Sequence, residues 1–219
     1  MITLNEIKEN PAVKTYIEAA DRSLSQLGYT EHSYRHVGGV ASTAAYILKT
    51  LGYSERTVEL SKIAAYLHDI GNLVNRVSHS QSGAIMAFKI LDNLGMDPNE
   101  IALVVSAIGN HDEGTGVPLD EISAALILAD KSDVRRSRVR NTEKSSFDIH
   151  DRVNYSVVSS ELKIDSEKSL AILSLKIDTE ISAIMDYFEI FLERMLLCRR
   201  AAERLSLSFA LYINEQKIV

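Results

Sequence analysis

The chain has 219 residues, 46% hydrophobic and 25% charged, a balance that suits one medium-sized globular unit and excludes a disordered protein. Its net charge is −6, so general attraction to nucleic acid polymers or to an anionic membrane is not expected. A single cysteine, Cys198, leaves no internal disulfide and fits a reducing, cytoplasmic setting. No stretch approaches the roughly 18 apolar residues of a membrane span, and the mixed, acidic residues 1–10 lack the order of a signal peptide.

The first 140 residues read as helices. Asn10-Pro11 supplies a cap and then proline at the first helical position; Val13, Tyr16, Ile17, Ala20, Leu24 and Leu27 follow at helical spacing until Gly28. A second helix is expected over residues 33–51, before Gly52. Ser54 caps a third, which reaches His68-Asp69 and stops at Gly71. A fourth covers residues 80–94, and Asp97-Pro98 opens a fifth that ends near Asn110. Residues 114–118 form a loop. A sixth helix starts at Leu119 or Asp120, carries Asp130 and could run on toward Arg140.

The texture changes after Asn141. Residues 153–164 and 169–177 are rich in β-branched side chains and flank Asp165-Ser166-Glu167-Lys168, which predicts a hairpin. Residues 181–205 carry a helical stripe of Ile184, Tyr187, Phe188, Phe191, Leu192, Met195 and Leu196, and residues 207–213 alternate as a third strand. The expected fold is mainly α, with a helical core over residues 1–140 and a small β-β-α-β unit over residues 141–219. That unit holds no catalytic constellation, which leaves it packing, gating of the site, or homodimer formation through the stripe at Phe188 and Phe191.

Five of the six histidines fall in the first 111 residues, and the ordered set His36, His68-Asp69, His79, His111 and Asp130 mixes imidazole with carboxylate as divalent transition metals require. The helix before the doublet (Ile63, Ala64, Tyr66, Leu67, Ile70) is apolar, so a buried His-Asp pair at its end needs a metal or a hydrogen-bonded partner. Taken alone, the doublet fits a structural His-Asp hydrogen bond equally well, and lone histidines at positions such as His79 and His111 are ordinarily caps or exposed. His32 lies one turn before His36, on the same face of a helix, as an outer ligand or substrate contact. His150 is given no role.

His36 with Val40, then Ala64-Ala65-Tyr66-Leu67-His68-Asp69-Ile70-Gly71, then Ala129-Asp130, resembles the HD-domain superfamily of metal-dependent phosphohydrolases, over roughly residues 30–140. The resemblance implies an HD-domain helical bundle in which His36, His68, Asp69 and Asp130 bind one metal. His79 and His111 match the extra ligands of binuclear members, where the doublet aspartate, here Asp69, bridges two ions and is the catalytic residue. Residues 110–118 are similar to the signature of the HD-GYP subgroup, which hydrolyses cyclic dinucleotides. They depart from it at Asn110, where a histidine is usual, and at Val117, where a tyrosine is; Asn72 replaces a common lysine, and the loops are short. The site architecture therefore carries over better than that substrate.

Arg135, Arg136, Arg138 and Arg140 follow Asp130, either as a solvated helix end or as phosphate receptors. Arg135, Arg136, Lys131 and Arg76 are the expected substrate contacts; Asp112 and Glu113 are weaker candidates for proton donor or support of a ligand. The expected activity is hydrolysis of a small phosphorylated molecule, a nucleotide foremost, with one or two ions of iron, manganese, cobalt, nickel or zinc. Two other classes fit the same residues: a di-iron oxygenase, and a nucleotide-binding module without turnover.

Overall fold

The computed structural model describes residues 1–219, the Lys144 side chain excepted. The helical part comprises α1 (Leu4–Glu9), α2 (Pro11–Gln26), α3 (Tyr34–Thr50), α4 (Glu55–Leu67), α5 (His79–Asn93), α6 (Pro98–Gly109) and α7 (Glu121–Ser132). Then come α8 (Ile149–Ser156), the strands β1 (Val157–Asp165) and β2 (Leu170–Ile177), α9 (Ile184–Arg204), and the strands β3 (Ser208–Ile213) and β4 (Gln216–Lys217). The fold is mainly α with a small C-terminal sheet, as the change of texture after Asn141 predicts.

Side chains close the helix starts where the sequence places them. Asn10 accepts from the backbone of Ala12 and Val13, Ser54 from Thr57, and Asp97 from Asn99, which satisfies amides that have no partner inside the helix. Some boundaries differ from expectation. α1 is an additional helix, opened by a capping box between Thr3 and Glu6. α4 stops at Leu67, and His68-Asp69 lead into a separate 3-10 turn, Ile70–Leu73. α7 stops at Ser132 and does not run toward Arg140; Val134 turns into the core, and Arg138 donates to the Asp133 carbonyl at 2.8 Å. Residues 153–156 are the end of α8 and not of a strand, because Asp148 caps that helix by accepting from the Asp151 amide.

The sheet order is β1-β2-β3-β4. β1 and β2 form the expected antiparallel hairpin, while β2 and β3 run parallel with α9 as the crossover. α9 packs on α7. One apolar core runs from Leu48 and Leu67 through Leu126 of α7 to Leu197 and Ala201 of α9 and Leu173 of β2. Tyr187, Phe191 and Met195 are buried in it, with the Phe191 ring 5.0 Å from that of Tyr187. Most of the stripe read as a pairing surface is therefore core; Leu192 remains exposed. No helix among the described residues is long and apolar enough to cross a membrane.

Candidate metal centre

Five helix ends converge. His36 lies in the first turn of α3, His68 and Asp69 follow α4, His79 opens α5, His111 follows α6, and Asp130 lies in the last turn of α7. All six are buried. Glycine makes the approach between α4 and α5 feasible: a Cβ on Gly71 would lie 2.0 Å from the His79 carbonyl oxygen and 2.4 Å from the Gly83 nitrogen. Gly116 does the same for the loop beyond His111, where a Cβ would lie 2.5 Å from the Asp112 carbonyl oxygen.

The two oxygens of Asp69 face two groups of histidines. Oδ2 lies 3.1 Å from His68 Nε2 and 3.4 Å from His36 Nε2. Oδ1 lies 3.6 Å from His79 Nε2 and 4.0 Å from His111 Nε2. Asp130 Oδ1 completes the first group, 3.4 Å from His36 Nε2 and 3.6 Å from His68 Nε2. Asn72 donates to Asp69 Oδ1 at 3.0 Å and fixes that carboxylate.

The ring orientations are set from behind. His36 Nδ1 bonds Asp133 Oδ2 at 2.7 Å, His68 Nδ1 the Ala65 carbonyl at 2.7 Å, His111 Nδ1 the Ile108 carbonyl at 2.6 Å and His79 Nδ1 the Arg76 carbonyl at 3.1 Å. With Nδ1–H donating, each Nε2 presents its lone pair to the centre. His36 Nε2 and His68 Nε2 are buried without a hydrogen-bond partner, a costly state that a cation relieves. Ligand atoms of His36, His68 and Asp130 lie within 4.8 Å of one another, as do those of His68, Asp69 and His111. These groups could hold a divalent metal.

Electrostatics point the same way. Burial works against charge on Asp69, yet His68 and His32 hold its carboxyl well below the usual range. Burial likewise opposes the charge on Asp130, which Lys131 and the nearby imidazoles of His36 and His68 hold low. Burial pushes His111 and His79 down, so those rings stay neutral and available as ligands.

A cavity of about 500 Å³ opens onto Asp69, Asp130, His79 and His111. Lys131 and Arg76 line it. Arg135 and Arg136 do not: Arg135 is paired with Asp133 and Glu31, and Arg136 bonds the Tyr155 carbonyl and faces Asp178. The early end of α7 turns both away from the cavity, where a longer helix placed them in sequence. Arg138 lines the cavity instead, but donates to the Glu31 and Asp133 carbonyls. Arg140 is tied to Asp21. His32 precedes α3, and its Nε2 reaches within 3.9 Å of Asp69 Oδ2. His150, given no role from sequence, stands at the cavity wall with Asp148 and Asp151.

Other residues emerge only here. Asp133 orients His36; its position one turn beyond Asp130 is the signal that could have found it. Glu113 is not a solvated loop acid: Lys131 Nζ lies 3.2 Å from Oε2, and Arg194 donates to Oε1 at 2.8 Å. Burial opposes its charge, but those two cations hold it well below the usual carboxylate range, so it is ionised and unsuited to donate a proton. Arg194, from α9, has no local signal in the sequence.

A helical bundle that buries a His/Asp centre between its helix ends, with a sheet-bearing unit behind it, is the class this structure defines. Residues 33–136 match the model of the HD domain, and this match supports assigning that segment to the HD-domain superfamily. The chain is 29% identical over 192 residues to an uncharacterised protein of Methanocaldococcus jannaschii, an alignment covering 77% of this chain and 73% of that one. It is also similar to the crystal structure of a predicted HD superfamily hydrolase from an uncultured Thermotogales bacterium, with a TM-score of 0.46, 25% identity, and coverage of 61% of this chain and 75% of that one.

Proposed function

We propose that the chain is a metal-dependent phosphohydrolase acting on a small phosphorylated substrate, with a nucleotide as the first class to test. The observation that carries this reading is the division of Asp69: one oxygen toward His36 and His68, the other toward His79 and His111. That is the arrangement expected of a carboxylate shared between two cations. His36, His68, Asp69 and Asp130 would hold one ion, and Asp69, His79 and His111 a second. Such ions, when bound, supply Lewis acidity and lower the pKa of water toward neutrality.

The chain's own residues do the rest. Asp69, held by Asn72, keeps the two groups in register. Lys131 and Arg76 offer positive charge beside the centre for phosphoryl oxygens. Tyr29 and Phe191 give the cavity aromatic wall against which a base could lie. The imidazole and carboxylate donors favour iron, manganese, cobalt, nickel or zinc over magnesium.

The test follows hydrolysis by the purified chain, after chelation and after reloading with each metal: release of inorganic phosphate from nucleoside phosphates, and appearance of linear product, by chromatography, from cyclic dinucleotides. Hydrolysis that vanishes on chelation and returns with a transition metal supports the reading. Tight nucleotide binding without turnover under every metal would establish a binding module instead. Oxygen consumption by the iron-loaded chain, with no hydrolysis of any phosphorylated substrate, would establish an oxygenase.

A further inference from the structure

We propose that Arg194, on the C-terminal helix α9, is the residue that grips the substrate's phosphoryl oxygens, so that the C-terminal unit completes the active site. The inference rests on the phosphohydrolase reading above and adds to it a receptor outside the HD segment. Arg194 lines the same cavity as Asp69 and Asp130. Its side chain is 21% exposed, sheltered enough for a charged contact to count yet open to a ligand.

The guanidinium is held in place without being used up. Nε donates to Glu113 Oε1 at 2.8 Å, and the Phe191 ring lies 4.4 Å from the guanidinium carbon. Neither terminal nitrogen has a hydrogen-bond acceptor among the described residues. Arg138 differs, because its Nε and one terminal nitrogen are spent on backbone carbonyls. A planar fork with both terminal nitrogens free matches the oxygens of a phosphoryl group.

Charge favours the same assignment. Lys131 Nζ lies 2.7 Å from Asp130 Oδ2 and 3.2 Å from Glu113 Oε2, and Arg194 meets the other oxygen of Glu113. Two cations thus share the single carboxylate of Glu113 once Asp130 is counted with the His/Asp centre. A phosphoryl group beside Asp130 restores that balance. Glu113 is then a positioning residue that aims Lys131 and Arg194.

The experiment titrates inorganic phosphate into the manganese-loaded full chain by calorimetry, comparing wild type, Arg194→Ala, Arg194→Lys and Arg200→Ala, an exposed α9 control. Metal content is measured on each. Loss of one charge-assisted contact predicts phosphate affinity lower by roughly 10- to 100-fold in Arg194→Ala. Arg194→Lys should recover part of it, Arg200→Ala should match wild type, and metal content should not change. In steady state, Arg194→Ala should raise KM more than it lowers kcat. Wild-type phosphate affinity in Arg194→Ala overturns the inference alone, as does an equal loss in Arg200→Ala. Loss of metal or of folding in both Arg194 variants overturns it by making the residue a structural strut. A wild-type chain that neither binds phosphate nor hydrolyses any phosphorylated substrate overturns the phosphohydrolase reading with it.

Discussion

The Nε2 atoms of His79 and His111 lie 3.1 Å apart, across 32 residues of sequence. Both rings bond backbone carbonyls through Nδ1, so the two Nε2 lone pairs face each other in a buried space. Lone pairs so placed repel unless a cation is shared between them, and burial holds both rings neutral. A second ion bound there requires both. Elemental analysis of the purified chain should give about two transition-metal ions, falling toward about one in His79→Ala and in His111→Ala. One ion per chain, unchanged in either variant, would restrict the centre to His36, His68, Asp69 and Asp130.

Asp133 reaches the first group only through His36, at 2.7 Å from Nδ1. Asp133→Asn should keep the fold and lower metal affinity or activity by about 10- to 100-fold, the usual cost of losing the carboxylate behind a ligand histidine. Competition with a fluorescent chelator measures the affinity. Unchanged affinity would show that Asp133 serves only its pairing with Arg135 and Arg138.

Protons and metal compete for the centre. Burial opposes charge on His68, but the neighbouring carboxylates of Asp69 and Asp130 outweigh it and raise the imidazole to about 10 in the metal-free chain. A raised value means that the proton's stabilising contribution is full below the ordinary 6.5 and is lost as pH rises through about 10. The lowered Asp69 and Asp130 contribute in the opposite sense, losing their part only in acid. Metal uptake at neutral pH should therefore release protons, and metal affinity should climb with pH. Titration in a weakly buffered dye solution reads this directly. Uptake without acidification would contradict the charge assignment at His68.

Gly71→Ala places a Cβ against the backbone of His79 and Gly83, which cannot move aside as a flexible side chain would. The substitution should destabilise the chain by about 1–3 kcal/mol and lower occupancy at His79 more than at His36. Denaturant unfolding with metal analysis tests both; wild-type values would mean that the α4–α5 approach is looser than the structure shows.

Much of the helical core was legible, because local rules write it: Asn10-Pro11, Ser54 and Asp97-Pro98 are caps whose chemistry is contained in neighbouring residues. The order of His36, His68-Asp69, His79, His111 and Asp130 was legible through its resemblance to the pattern of a known family, not through local rules. Arg135 and Arg136 were misplaced because their direction depends on where α7 ends, and that is decided by Val134 entering the core and by Arg138 reaching the Asp133 carbonyl. Residues 153–156 have strand-like side chains but follow the Asp148 cap, and the cap won.

Sequence by itself determined the class of fold and the starts of α2, α4 and α6, since these follow from periodicity and capping within a few positions, while the resemblance to a family pattern pointed to the ligand-type residues. Tertiary structure alone decided that Asp69 turns its two oxygens to different histidine groups, that Glu113 lies between Lys131 and Arg194, and that α9 reaches the cavity. Those relationships join residues far apart in the chain, and only the packing of α4 on α5 and of α7 on α9 fixes the distances between them.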